Sequence, residues 1–189
     1  MGFFSYVNSL DYWVSQQVMQ FHNIVSDRLF LGITTLGDPT AVIVLAILLV
    51  IFWVIKKRYN ALLLMLAALL GSFLSVSLIK ILIQRPRPEI ESLIQATGYS
   101  FPSAHATVSM AFCGILAYLI GQSLQDSGWK EWKERINIVA GVLIFAIGFS
   151  RIYWGVHYLS DVVCGWILGA CWLWITIHWI AQKIPKDYL

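Results

Sequence analysis

Residues 60–83 read NALLLMLAALLGSFLSVSLIKILI, a run whose only charged side chain, Lys80, lies close to its end. A bilayer core asks for about 20 apolar residues in a spanning helix, so this stretch predicts a membrane helix that ends on a cation. An ionised group at membrane depth costs ~2.5–3.5 kcal/mol on insertion scales and is usually kept for a task. The whole chain fits that setting. Of its 189 residues 59% are hydrophobic and 12% charged, too little charge to cover a soluble globule of this size.

Working outward, four further runs reach helical, near-bilayer length: Pro39–Ile55, Ala104–Gln122, Ile136–Phe149 with continuation through Ser150–Tyr153, and Tyr158–Ile180. None alternates as a barrel strand does, and only helices or closed barrels satisfy the backbone in lipid. The expected fold is an all-α integral membrane bundle of five spans. Tyr6–Ile24 differs, with Leu10, Trp13, Val14, Val18 and Phe21 interleaved with Asn8, Asp11, Ser15, Gln16 and Gln17. Apolar positions three or four apart predict an amphipathic helix lying along the membrane, a sixth span being the alternative. A short helix over Asp27–Leu36 is expected to end at Gly37-Asp38-Pro39. The organisation is read as one domain, 1–189, with an interfacial segment 1–36 and a helical bundle 39–180. No cleavable signal peptide is expected, because the N-terminus lacks a basic start followed by an apolar block.

Charge placement orients the bundle. Lys56, Lys57 and Arg58 join the first two spans, Lys130, Lys133 and Arg135 the next pair, and Lys183 and Lys186 follow the last. With five spans these groups share one face, which the positive-inside tendency makes cytoplasmic. Trp53, Trp172, Trp174, Trp179 and Trp154 are expected in the interfacial belts. Gly71, Ser72, Ser75 and Ser77 are small enough to let helices approach closely. No basic, aromatic-rich stretch suggests nucleic-acid binding, and Cys113, Cys164 and Cys171 lack metal-ligand spacing and read as small hydrophobes.

Three polar segments fall on the opposite, outer face: KILIQRPRP at 80–88, PSAH at 102–105 and SRIYWGVHYLSD at 150–161. His157 and Asp161, four apart, share a helical face, so the carboxylate can orient the imidazole and leave its other nitrogen a better nucleophile or base. Lys80, Arg87 and Arg151 need anions, and the nearby acids are few: Asp161, with Glu89 and Glu91 in a loop. A phosphate would satisfy all three cations. Arg85 reads instead as snorkelling to headgroups. Ser103 is a good N-cap for the helix beginning at Ala104, whose first-turn N–H groups form an anion site beside His105. His22 and His178 lie outside these segments and receive no role, and Tyr99 and Phe101 flank the second one.

Taken together, Lys80…Arg87-Pro88, Pro102-Ser103-Ala104-His105 and Ser150-Arg151…His157…Asp161 resemble the motifs of the type-2 phosphatidic acid phosphatase superfamily, integral membrane lipid phosphatases that share a site with vanadium haloperoxidases. The resemblance departs at one position, Ala104, where the family usually has Gly. It implies a metal-independent, cofactor-free hydrolase in which His157 attacks phosphorus and forms a phosphohistidine, Asp161 orients it, and His105 protonates the leaving oxygen and then activates water. Lys80, Arg87, Ser103, Ala104, Ser150 and Arg151 are then expected to bind the phosphate. The implied partner is a membrane lipid phosphate at the outer face of the cell membrane. Undecaprenyl diphosphate is the first expectation; phosphatidic acid, phosphatidylglycerol phosphate, lipid A phosphates and transfer to a second lipid stay open. A non-catalytic lipid-binding protein would not need both histidines and Asp161, and a haloperoxidase would not need the membrane spans.

Overall fold

The computed structural model describes residues 3–88, 94, 96–124 and 131–183. Seven helices account for most of them: α1 (Phe3–Met19), α2 (Ile24–Leu36), α3 (Pro39–Ile55), α4 (Tyr59–Ile83), α5 (Ala104–Leu124), α6 (Trp132–Tyr153) and α7 (Leu159–Ile175), the last running on through a π-helical turn, Thr176–Ile180. No strand occurs among the described residues, so the expected all-α bundle is the observed architecture. Glu89, Glu91, Lys130 and Lys186, used in the sequence reading, lie outside the described residues.

Local chemistry sets the helix ends. Asn23 caps α2 with a reciprocal box, accepting from Val25 N and Ser26 N while Ser26 Oγ accepts from Asn23 N. Asp38 accepts from Thr40 N at 2.8 Å to cap α3, with Pro39 in the first turn. Gln84 adopts a left-handed conformation (φ 50°, ψ 34°) that stops α4, and Pro86 and Pro88 keep the chain from resuming it.

Among the described residues four helices are long and apolar enough to span a membrane: Tyr59–Ile83, Ala104–Leu124, Trp132–Tyr153 and Leu159–Ile180. The fifth expected span takes another form. At 17 residues α3 extends about 25 Å, short of a hydrocarbon core of about 30 Å. With α2 it forms a pair bent by 43°, the shape of a broken span or a re-entrant loop. The break falls at Gly37–Asp38, beside the polar cavity described below.

Helix α5 is the centre of the bundle and packs most extensively on α6 and α7, then on α4. Leu64, Met65 and Ala68 of α4 meet Ala111, Phe112 and Ile115 of α5 in one buried cluster. A second, around Ala106, Ile152, Tyr153, Val156 and Val162, lies next to the polar segments. Small residues decide how close the helices come. A Cβ on Gly169 would stand 2.4 Å from the Thr107 carbonyl oxygen and one on Gly165 2.8 Å from that of Ser103, so α7 lies backbone to backbone on α5 along a small-xxx-small stripe. Gly71 admits the Trp172 ring, whose Nε1 donates to Ser75 Oγ at 2.9 Å, as the run of small residues on that helix predicts.

Helix α1 is amphipathic as expected, and the face it docks on the protein carries Asp11 and Ser15 beside Val18, all buried, while Leu10 and Trp13 stay exposed. The polar stripe faces inward because Asp11 has partners there. Trp53 and Trp154 are buried rather than set in a belt, Trp154 Nε1 reaching the Phe30 carbonyl at 3.3 Å.

The stripe on α7 leads to a stability prediction. Replacing Gly169 by Ala forces a methyl into the α5 backbone and is expected to cost ~1–3 kcal/mol, the usual range for overpacking. Gly141→Ala, whose new methyl has nothing within 4 Å, is the control. Thermal melting of the detergent-solubilised protein should fall for the first and not for the second; equal behaviour would refute the close packing.

Candidate active site

A cavity of about 550 Å³ opens where the ends of α2, α4, α5 and α6 converge, and Lys80, Arg87, Ala104, His105, Arg151 and His157 all line it. Three segments separated in sequence thus supply one space. The turn after α6 explains part of this. Gly155, at φ 65°, reverses the chain, and the N–H groups of Val156 and His157 both reach back to the Arg151 carbonyl at 3.2 and 3.3 Å. His157 is thereby laid beside the end of the helix that carries Arg151. Ser103 N donates to the Asp161 carbonyl at 3.0 Å, tying the start of α5 to the start of α7.

His157 is 3% exposed and its Nδ1 lies 3.4 Å from Asp161 Oδ2. Its Nε2 lies 3.4 Å from Arg87 Nη1. A carboxylate only accepts and a guanidinium only donates, so the proton belongs on Nδ1 and the Nε2 lone pair faces the cavity. Burial pushes the imidazole down to about 4, with the Asp161 hydrogen bond acting in the opposite sense and the charges of Arg87 and Arg151 reinforcing the fall. It is therefore neutral at neutral pH.

The cations are held by neutral groups. Lys80 Nζ donates to the Tyr99 carbonyl and, at 3.4 Å, to that of Ser100. Arg87 donates from Nε to Gly98 O at 3.0 Å, from Nη2 to Thr97 O at 2.8 Å and from Nη1 to Val156 O at 2.8 Å. Gly98 has φ 72°, a conformation that lets the 97–100 segment turn its carbonyls toward both cations. That segment is pinned in turn by Ser100, which donates from N to Arg85 O and from Oγ to Pro86 O, both at 2.9 Å. Arg151 Nη1 donates to Thr34 Oγ1 at 2.6 Å, while its buried Nε has no partner. Among the described residues none of the three makes a salt bridge. Three positive charges facing one cavity without an ion pair of their own make it a candidate anion site.

Of the remaining expected residues, Ala104 lines the cavity at the first turn of α5 without a positive φ, so its methyl is accommodated in a helical backbone. Ser103 is buried, and its Oγ accepts from Ala106 N at 3.5 Å, the N-cap position anticipated. Ser150 departs from expectation: it is buried and donates to the Ile147 carbonyl of its own helix at 2.6 Å, a back-bond that takes its hydroxyl proton away from the cavity.

Four side chains that sequence did not single out for the site also stand in or beside it: Asp38, Arg85, Asp11 and His22. Asp38 lines the cavity and lies within electrostatic reach of His105 and Arg151. Arg85 does not snorkel: it donates to Asp161 Oδ1 at 2.6 Å and to Asp11 Oδ2 at 2.7 Å. Burial alone would lower its pKa, but the hydrogen bond to Asp11 and the charges of both carboxylates raise it. His22, given no role, bridges Asp27 Oδ1 and the Tyr153 carbonyl, each at 2.9 Å, fastening α2 to the end of α6. Asp11, far along the chain from the three motif segments, carries no local signal; Arg85 had one, its place between Lys80 and Arg87.

The family model of the PAP2 superfamily matches residues 60–185. Phosphatidylglycerophosphatase B of Bacillus subtilis strain 168 is 28% identical over 183 residues, covering 95% of this chain and 87% of its own length. An undecaprenyl-diphosphatase of Sulfolobus acidocaldarius is 34% identical over 80 residues, 42% of this chain and 32% of that protein. Among solved structures, the transmembrane PAP2-type phosphatidylglycerolphosphate phosphatase of Bacillus subtilis superposes with a TM-score of 0.87 at 27% identity, covering 95% of this chain and 88% of its own. LpxE of Aquifex aeolicus superposes with a TM-score of 0.71 at 22% identity, covering 90% and 96%, a likeness of fold.

The buried neutral imidazole has a consequence for acid stability. Its folded pKa of about 4 lies below the ordinary 6.5, so protons bind the unfolded state first. The stability it contributes is complete above pH 6.5 and is lost as pH falls toward 4. The melting temperature of the wild type should therefore drop more steeply over that interval than that of His157→Asn. Parallel curves would mean that the imidazole is not held neutral.

Proposed function

The chain belongs to the PAP2 superfamily and is a multi-span membrane lipid phosphatase, and we propose that it removes the terminal phosphomonoester of a glycerophospholipid, phosphatidylglycerol phosphate being the first candidate. The observation that carries this reading is the junction of two spaces. An apolar groove of about 350 Å³, lined by Val42, Ala46, Leu66, Leu70 and Phe73, reaches Ala104 and His105, which also line the cationic cavity. A phosphate held by cations beside a channel for an acyl chain describes a lipid phosphate.

In the proposed mechanism Lys80, Arg87 and Arg151 hold the non-bridging oxygens, with N–H groups of the α5 first turn adding donors. His157 Nε2 attacks phosphorus in line, forming the N–P bond as the bond to the leaving oxygen breaks. Asp161 accepts from Nδ1–H and stabilises the charge on the ring. His105 donates a proton to the leaving oxygen, then takes one from the water that cleaves the N–P bond and releases phosphate. The residues supply the charge neutralisation themselves, so the reaction is proposed to run without a metal. Ser150 is assigned no contact with the substrate, since its proton is committed to its own helix.

The leaving-group side favours the glycerophospholipid alternative over the polyprenyl diphosphate first expected. The leaving oxygen belongs at His105, with Asp38 close by. A diphosphate would leave a second phosphate there, against a carboxylate; a glycerol headgroup places hydroxyls there, which a carboxylate accepts from. The phosphatidylglycerophosphatase likeness, which runs the length of the chain, points the same way. The clusters at Lys56–Arg58 and Lys133–Arg135 lie at the opposite ends of the helices, so the site is proposed to face the exterior of the plasma membrane.

The test is phosphate release by purified protein in excess chelator from four lipids: phosphatidylglycerol phosphate, phosphatidic acid, undecaprenyl diphosphate and lipid A. The first should give the highest kcat/KM, and His157→Ala should lose roughly 10³-fold or more, as removal of a nucleophile does. Faster turnover of undecaprenyl diphosphate would overturn the substrate, and an active His157→Ala the nucleophile.

A further inference from the structure

Asp161 meets the imidazole through one of its oxygens; the other faces away from the cavity and leads to α1. Asp161 Oδ1 accepts from Arg85 Nη1 at 2.6 Å, and the second terminal nitrogen of Arg85 reaches Asp11 Oδ2 at 2.7 Å. Asp11 Oδ2 also accepts from Ser160 Oγ at 2.5 Å, and Oδ1 from Ser160 N at 2.9 Å. The guanidinium lies over the Tyr158 ring, 4.2 Å from its centroid. The side chains of Asp11 and Asp161 are 2% and 0% exposed. No such network is needed to fasten a helix to a membrane surface.

We propose that Asp11 and Arg85 are positioning residues for the nucleophile, so that α1 is a working part of the catalytic site. The inference rests on His157 being that nucleophile. Asp161 is held at both oxygens, Oδ1 by Arg85 and Oδ2 by Tyr158 N at 3.0 Å, which aims Oδ2 at His157 Nδ1. Without Arg85 the carboxylate is free to turn about its terminal torsion, which is soft and roughly two-fold. Arg85 is long and rotamer-rich; Asp11 fixes it by engaging the second prong of its fork. Asp11 also accepts from a first-turn N–H of α7, where a carboxylate is favoured by the helix dipole. The helix that carries Asp161 is therefore seated by a side chain of α1.

Neither residue touches the cation-lined cavity, so their loss should act on the chemical step and leave binding alone. Asp11→Asn keeps the size of the side chain and an acceptor for Ser160 N but puts an amide where Oδ2 accepted from Arg85. In detergent, with the lipid phosphate that the wild type turns over best, kcat should fall roughly 10–100-fold for Asp11→Asn and for Arg85→Gln, with KM within about twofold. Arg85→Lys, able to reach one carboxylate at a time, should be intermediate. Since both act through one chain of contacts, the double variant should fall no lower than Arg85→Gln alone, within about twofold. Single-turnover trapping should show slower phosphoenzyme formation, which a purely structural clamp would not produce in protein that remains folded. If Arg85→Gln yields no folded protein, the near-isosteric Asp11→Asn decides the matter. A wild-type kcat in Asp11→Asn beside an inactive His157→Ala overturns this proposal alone. Activity in His157→Ala overturns the nucleophile and this proposal with it.

Discussion

Everything in the site depends on how closely α5 and α7 approach. Gly165 and Gly169 remove the side chains that would hold the two backbones apart, and the Ser103 N–H then reaches the Asp161 carbonyl. That contact sets the N-terminus of α5 beside the N-terminus of α7, which begins just after His157. In lipid no hydrophobic force drives helices together, so close van der Waals packing between small residues carries the association. The anion-binding turn and the imidazole share one cavity because two glycines four residues apart allow it.

The cations show how environment divides residues of one chemical type. Four basic side chains lie within 72 residues of one another at this end of the bundle: Lys80, Arg85, Arg87 and Arg151. Arg85 takes two carboxylates and is neutralised by the protein. The other three are steadied by backbone carbonyls and a threonine hydroxyl, groups that orient a cation without cancelling its charge. Charge left uncompensated on the buried Arg151 and the half-buried Lys80 and Arg87 is costly, and an anion between them would offset that cost. A phosphate carried on a lipid meets that need, and the apolar groove reaching His105 supplies room for the rest of the molecule.

Much of this was legible in the sequence. Run length and the scarcity of charge predict the helical membrane bundle, since the bilayer imposes a length on any spanning helix. The spacing of Lys80 and Arg87, of the Pro102–His105 turn, and of Arg151, His157 and Asp161 picks out the residues that line the cavity or orient those that do. Proline and N-cap chemistry place the helix ends near the observed ones. Where the reading fell short, the missing information was three-dimensional. Ser150 fits the motif by position, but its hydroxyl has a carbonyl of its own helix within reach. Trp154 has the character of a belt residue, but its neighbours bury it.

By itself, then, the sequence determined the class of fold, the family, and the set of side chains proposed to hold and attack a phosphate, because these follow from local composition and fixed spacing. Tertiary structure alone decided which charges cancel and which do not. Asp11 and Arg85 are 74 positions apart, and nothing local distinguishes Asp11 from a polar residue on the wet side of an amphipathic helix. Only the docking of α1 against α7 reveals it as buried and paired. The bend at Gly37–Asp38 is of the same kind: a short apolar helix gives no sign that its cap will face His105 until α2 and α3 are packed against the bundle. Charge pairing depends on distances through space, and those are set by packing, which no linear spacing encodes.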